Sequence, residues 1–224
     1  MKIHNRFRND EEEEEEDNDI LIKAAGDSWG PDTLTFFGKD SRAILISGEI
    51  TQALANCVIS QLLELAAESD EPIHVYINTD GGECTSGLAI YDMMRIIPAP
   101  VVTVVIGACH SAGLFILQGG DRRGAIPHAS FFYHEPISSY QVATEDAAAT
   151  YTNHYKTLRE AIDKILISRS KISKAIWKKD FAGKTAFFFT TEEAIAYKLV
   201  DEVVEYAKPK PLSLKAIKAK LNGE

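Results

Sequence analysis

Residues 73–82 read IHVYINTDGG, and this stretch decides how the chain around it is interpreted. Four of its first five residues are apolar or aromatic, as in a buried strand, and Asn78–Gly82 then supplies residues typical of a turn. A helical pattern follows from Thr85 to Ile97, and Pro98 ends it. The segment therefore predicts one strand–turn–helix unit.

The same alternation extends in both directions along the chain. The other predicted strands are Ala43–Ile46, Val101–Ile106 and Phe131–His134, and the other predicted helices are Thr51–Ala67, Ser111–Gln118 and a long helix from about Thr144 to Lys171. Repeated alternation of strands and helices predicts an α/β domain with largely parallel strands. In open sheets of this kind, functional sites gather beyond the carboxyl ends of the strands.

Charge is distributed unevenly over the 224 residues. The chain has 24 basic and 33 acidic residues, and residues 1–20 alone contain nine acids and three bases. The rest of the chain is therefore close to neutral, which argues against a nucleic-acid partner. Glu11–Glu16 repels itself and has little to bury, so residues 1–30 are predicted to be a mobile acidic segment. Whether it only solubilises the chain or also docks a partner stays open.

The remaining composition predicts a soluble protein of the cytoplasm. Cys57, Cys84 and Cys109 cannot all pair and lack the close spacing of a zinc site, which favours a reducing compartment and no metal. No apolar stretch is long enough to span a membrane. We expect a folded domain at residues 31–207 and a Lys-rich tail at residues 208–224.

The first candidate site is the pair of glycines at the end of the IHVYINTDGG stretch. Paired glycines allow a sharp turn and expose backbone N–H groups, which suits the binding of an oxyanion or a phosphate. A plain tight turn would also need them, so the motif alone is weak.

The second candidate site follows the strand that begins at Val101. Residues 107–113 read GACHSAG, and they place Ser111 at the start of a predicted helix, where developing negative charge is favoured. The backbone N–H of Ala112 would then point at an oxyanion beside it. Ser111 could equally serve only as the helix cap.

His134 ends the next predicted strand. It is either a core histidine or the base that activates Ser111, because a Ser and a His at neighbouring strand ends can meet. From the residues alone, a serine hydrolase is one open interpretation.

At these positions the chain resembles the proteolytic subunit of the Clp protease (ClpP), a serine peptidase of the crotonase-like superfold. The resemblance covers about Ala43 to Val204. It rests on several segments in order: INTDGG at 77–82, GLAIYD at 87–92, IGACHSAG at 106–113, IPHAS at 126–130, YHEP at 133–136 and TEEAIAYKLVD at 191–201.

The resemblance implies a repeated β-β-α spiral with a protruding handle helix. It implies that Ser111 is the nucleophile, that His134 is the general base, and that the N–H groups of Gly82 and Ala112 form the oxyanion hole. It further implies a tetradecamer of two stacked heptameric rings that encloses a chamber. An ATP-dependent AAA+ unfoldase would deliver polypeptides to it, so this chain itself would need no cofactor.

Three departures from the family pattern stand out. The position of the third triad residue, usually Asp, falls on Ala186, and the nearest upstream acid is Asp180. Asp180 is therefore the candidate third residue, although a hydroxyl, a carbonyl or a water could orient His134 instead. Asp80 replaces the usual Pro before the paired glycines, and we expect it to face water. His110 precedes Ser111, but it should point to the opposite side of the strand.

Three functions are compatible with these residues. The first is a ClpP-type serine endopeptidase that cleaves peptides and unfolded proteins. The second is a weak or inactive ring subunit with a structural role, which the missing acid favours. The third is a crotonase-type acyl-CoA enzyme, which would not require both Ser111 and His134. The source could be bacterial, phage or plastid.

Overall fold

A computed structural model describes residues 21–24, 34–37, 42–136, 144–170, 172–181 and 186–204. Of residues 21–24 and 34–37, and of Lys174 and Asp180, only the backbone is described. The acidic run and the Lys-rich tail singled out in the sequence lie outside these ranges, and the proposed domain boundaries stay predictions.

The chain alternates between strands and helices as predicted. The strands are β1 Leu21–Ala24, β2 Leu34–Phe37, β3 Ala43–Ile50, β4 Ile73–Gly82, β5 Val101–His110, β6 Arg122–Ala125, β7 Ser130–His134, β8 Ala186–Thr190 and β9 Glu202–Val203. The helices are α1 Gln52–Glu68, α2 Cys84–Ile96, α3 Ala112–Leu117, α4 Glu145–Ser170, α5 Lys174–Ile176 and α6 Thr191–Ala196, and one π-helical turn spans Trp177–Phe181.

Seven of the strands form one sheet. Five of them lie in the order β3-β4-β5-β6-β9, and each adjacent pair runs parallel. Strand β5 divides its pairing: Val102–Val105 pair with β6, whereas Ala108–His110 pair with β7. Strand β7 also pairs antiparallel with β8. This branching brings the ends of β4, β5 and β7 together, and the largely parallel sheet confirms the predicted α/β class.

Parallel strands that are covered by helices read as apolar runs, and β4 follows this rule. Ile73, Val75 and Ile77 are fully buried, and they belong to the same apolar core as Val58 and Leu62 of α1. Burying each such side chain contributes about 2 kcal/mol. The core therefore fixes the strands whose ends carry the candidate site.

Helix α4 is buried only toward its C-terminal end. Its buried side chains are Ile162, Leu166 and Ser170, four residues apart, whereas none of residues 145–161 is buried in this single chain. This protruding half matches the predicted handle helix.

The four predicted helices each agree with the structure to within one residue at either end, but three strand predictions were too short. Strand β3 continues to Ile50 rather than ending at Ile46. Strand β4 continues to Gly82 rather than ending at Ile77, because Gly81 and Gly82 still pair with Glu49 and Ile50 of β3. The paired glycines are therefore a distorted strand end rather than a free turn. Strand β5 likewise continues to His110 rather than Ile106.

Candidate active site

Ser111 lies at a strained junction between β5 and α3. Its backbone has φ 51° and ψ −113°, a conformation that side-chain-bearing residues rarely adopt and that costs about 1–3 kcal/mol. Its N–H donates to the Phe132 carbonyl of β7 at 2.8 Å, whereas its side chain makes no capping hydrogen bond to the helix. Capping therefore does not explain this serine, and a strained serine between a strand and a helix is typical of an activated nucleophile.

The paired glycines let the backbone of β4 approach Ser111 closely. A Cβ at Gly81, which has φ +102°, would lie 2.6 Å from the Ser111 Cβ and 3.1 Å from the Ala112 nitrogen. Gly82 has φ +149°, and a Cβ there would collide with the backbone of Ile50. Both positions therefore require glycine.

The two glycine amides have different surroundings. The N–H of Gly81 donates to the Thr79 hydroxyl at 3.0 Å, while Gly82 lines the cavity beside Ser111. Ala112, the first residue of α3, is buried and does not line that cavity.

His134, at the end of β7, is half-buried and lines the same cavity as Ser111. Its Nδ1 lies 2.7 Å from the carbonyl oxygen of Glu135. A carbonyl can only accept, so Nδ1 carries a proton, and in the neutral imidazole the lone pair is then on Nε2. This is the tautomer that a general base for Ser111 needs.

The sheet register tests the position of the third triad residue. His134 lies directly opposite Ala186 in the antiparallel pair of β7 and β8. Directly opposite side chains are about 5 Å apart, close enough for a carboxylate at this position to reach the imidazole. In this register a carboxylate at position 186 would lie beside the imidazole, and Ala186 supplies none. The side chain of Asp180 lies outside the described part of the chain.

The cavity has a volume of about 550 Å³. Its lining residues are Glu49, Asp80, Gly82, Glu83, Cys84, Thr85, Ser111, Leu114, Phe115, Tyr133, His134, Pro136, His154, Tyr155, Leu158, Ile162, Asp163 and Leu166. It thus brings together three of the predicted site residues: Ser111, His134 and Gly82. It also lies along one face of α4, which contributes Tyr155, Leu158 and Ile162.

Asp163 also lines the cavity, and the sequence analysis did not identify it as a site residue. Burial raises its pKa, and nearby Glu135 adds to the rise, while Arg159 opposes it. Burial also raises the pKa of Tyr133, and the charge of Asp163 raises it further. The helical spacing of α4 could have revealed that Asp163 follows Ile162 on the buried side, but not that this side faces Ser111.

His110 has the surroundings that the sequence predicted, away from the cavity. Its Nδ1 lies 2.9 Å from Asp80 Oδ1, and its Nε2 lies 3.2 Å from Ser130 Oγ. Its ring meets Phe132 and Phe188 edge to face. The Asp80 side chain is 91% exposed, as expected, although it lines the cavity with one surface.

Among the described residues, no group of three or more His, Cys, Asp and Glu side chains is arranged to hold a metal ion. No helix of the described chain is long and apolar enough to cross a bilayer.

Comparison with known proteins identifies relatives of this architecture. The model of the Clp protease family matches residues 34–207. A solved structure of a point mutant of ClpP1 from Listeria monocytogenes shares 30% sequence identity with the chain and superposes with a TM-score of 0.67. The match covers 75% of this chain and 94% of that one.

Proposed function

We propose that this chain, which belongs to the Clp protease family, is a serine endopeptidase with Ser111 as nucleophile and His134 as general base. One observation carries the proposal. A strained serine without a capping bond shares a cavity with a histidine whose proton sits on Nδ1. A serine that was only structural would have no need of this arrangement.

The chemistry is acyl transfer in two stages. His134 Nε2 takes the proton of the Ser111 hydroxyl as Oγ attacks the carbonyl carbon of the scissile peptide bond. The C–N bond then breaks, the leaving amine takes that proton, and an acyl ester remains on Ser111. Water, activated in turn by His134, attacks the ester and releases the second product.

The backbone around Ser111 supports an oxyanion hole. The Ile50 carbonyl accepts from Glu83, and successive amides of a strand alternate in direction, so we expect the Gly82 N–H to point away from β3. The first amides of α3, including that of Ala112, lack partners within the helix. Each donor aimed at the oxyanion typically contributes a factor of about 10²–10³ in turnover.

Catalysis should be slower than with a complete triad. The Glu135 carbonyl holds the tautomer of His134, but a neutral carbonyl stabilises the imidazolium less than a carboxylate does. Losing the acid in a triad costs about 10⁴ in turnover, largely through the wrong tautomer. Because the tautomer is kept here, we expect a smaller deficit.

We further propose the assembly that the family membership suggests. Copies of this chain would form two stacked heptameric rings in the cytoplasm, with the active sites in an enclosed chamber. An ATP-dependent AAA+ unfoldase would feed polypeptides into it, and the chain itself would use no cofactor. The exposed half of α4 supports this, since it offers an unpacked surface for a second ring.

A second function is a ring subunit without peptidase activity. Ala186 opposite His134 favours it, because that position lacks the acid. The strain at Ser111 disfavours it, because strained backbone conformations cluster at functional sites.

The test is hydrolysis of a short fluorogenic peptide by the purified protein, with Ser111→Ala prepared alongside. We expect turnover that disappears in Ser111→Ala while both proteins keep the same mass by light scattering. A tetradecamer rather than the 24.7 kDa chain would support the ring. A ring whose activity equals that of Ser111→Ala would refute the peptidase and leave the structural subunit.

A further inference from the structure

The cavity beside Ser111 has an apolar wall that is interrupted by one carboxylate. Leu158, Ile162 and Leu166 of α4 line it four residues apart, and Phe115 of α3 lines it as well. Asp163 follows Ile162 and also lines the cavity, with a side chain that is only 24% exposed. An apolar wall beside a half-buried acid suits a side chain with an apolar stem and a charged end.

The charge of Asp163 is only partly compensated. Arg159 Nε lies 3.8 Å from Asp163 Oδ2, but Arg159 binds Glu135 Oε1 more closely, at 2.6 Å. Two carboxylates therefore share one guanidinium, and with both carboxylates ionised the three side chains together carry one net negative charge. Burial already makes ionisation of Asp163 costly, so a cation entering the cavity would relieve this cost.

The rest of the lining has the same sign. Glu49, Asp80 and Glu83 also line the cavity, whereas no Lys or Arg belongs to the described lining. Low-dielectric walls that carry one sign of charge focus the field and concentrate ligands of the opposite sign. A neutral or anionic substrate side chain would gain nothing from this field.

We propose that this cavity receives a Lys or Arg side chain of the substrate next to the scissile bond, with Asp163 as the specificity-determining residue. The proposal rests on the peptidase function, because the cavity is a substrate subsite only if Ser111 is the nucleophile. The methylene stem lies along Leu158 and Ile162, and the cationic end reaches the Asp163 carboxylate. Such a charge-assisted contact gives about a tenfold to hundredfold preference in kcat/KM.

The test compares three fluorogenic peptides that differ only at the residue before the scissile bond: Lys, Arg and norleucine. Norleucine keeps the unbranched stem and removes the charge. We expect the native protein to cleave the Lys and Arg peptides with a kcat/KM at least about tenfold above that of the norleucine peptide. Asp163→Asn should lower this ratio to near one. Glu64→Gln, which removes an exposed acid on α1, should leave the ratio unchanged.

Binding to Ser111→Ala separates failure of this proposal from failure of the peptidase. Uncleaved Lys and norleucine peptides are titrated against Ser111→Ala with and without Asp163→Asn, and binding is followed by fluorescence anisotropy. Tighter binding of the Lys peptide that is lost with Asp163→Asn supports the cationic subsite even if no peptide is cleaved. Preference for norleucine, or a Lys preference that survives Asp163→Asn, overturns it.

Discussion

Two histidines stand near Ser111, and they are held in different ways. His110 directly precedes the serine, and both of its ring nitrogens are occupied, by Asp80 at 2.9 Å and by Ser130 at 3.2 Å. His134 is 23 positions away from Ser111 in sequence, yet it lines the same cavity. Its Nδ1 lies 2.7 Å from the neutral carbonyl of Glu135.

The contrast shows that an acid–histidine–serine chain does not by itself make a catalytic site. Asp80, His110 and Ser130 have the connectivity of a complete triad, whereas Ser111 and His134 have no acid at position 186. However, Ser130 lies within β7 and pairs with neighbours on both sides, Ala108 and Thr190, so its surroundings offer no strained backbone. The strained conformation, the adjoining glycines and the cavity belong to Ser111.

The largest effect that would distinguish the two histidines comes from His134→Ala. We expect kcat/KM for peptide hydrolysis to fall by about 10³ or more, because the proton of Ser111 would have no acceptor. His134→Gln is the matched control for packing against Phe132, whose ring lies 5.4 Å from that of His134. A fall of less than tenfold in both variants would mean that His134 is not the base.

A gain of activity is expected from Ala186→Asp. The new carboxylate would face His134 across β7 and β8 and stabilise the imidazolium that the Glu135 carbonyl stabilises weakly. We expect kcat to rise by about tenfold to a hundredfold with little change in KM, since tautomer control already exists. Ala186→Asn, which is similar in size but uncharged, should give little gain. An equal gain in both would contradict the electrostatic explanation.

A smaller effect is expected from His110→Ala. The variant removes a hydrogen-bonded link between Asp80, which precedes the paired glycines, and Ser130 at the start of β7. We therefore expect kcat to fall by at most about tenfold and the free energy of unfolding to fall by about 1 kcal/mol. Asp80→Asn, which keeps a hydrogen-bonding group next to His110, should have the smaller effect of the two. Hydrolysis rates and thermal unfolding of both variants check this. A loss of 10³ in His110→Ala would reverse the assignment of the two histidines.

Much of the fold was predictable from local pattern. The helices α1 to α4 were predicted to within one residue, because apolar spacing, capping residues and prolines are all local signals, whereas the short helices α5 and α6 were not predicted. The end of β4 was not, because only pairing with Glu49 and Ile50 of β3 keeps the paired glycines in the sheet.

Strand β6 was missed for a related reason. It begins with two arginines and contains a glycine, so it lacks the apolar pattern that predicts a strand. In the fold, Arg123 is buried and its guanidinium binds Asp201, 78 residues later. Burial raises the pKa of Asp201, but hydrogen bonding and charge interactions with Arg123 outweigh it and lower that pKa overall. A strand that depends on such a distant partner has no signal in the local sequence pattern.

The candidate site was predictable where side chains carry it. The family resemblance implied the roles of Ser111 and His134 and the vacant acid position at Ala186, and the register shows that Ala186 faces His134. The acceptor for His134 was left open, because a backbone carbonyl such as that of Glu135 has no signature in sequence. Asp163 was missed because helical periodicity identifies a buried face but not the cavity that this face meets.

The activation of Ser111 by His134 is tested most directly by covalent labelling of the native protein with a fluorophosphonate, followed by peptide mapping. A fluorophosphonate forms a stable bond only with a serine oxygen that a base has activated. We predict a single labelled residue, Ser111, with labelling lost in His134→Ala and retained in His110→Ala. Labelling of Ser130, or labelling of Ser111 that persists in His134→Ala, would contradict the assignment of His134 as the base that activates Ser111.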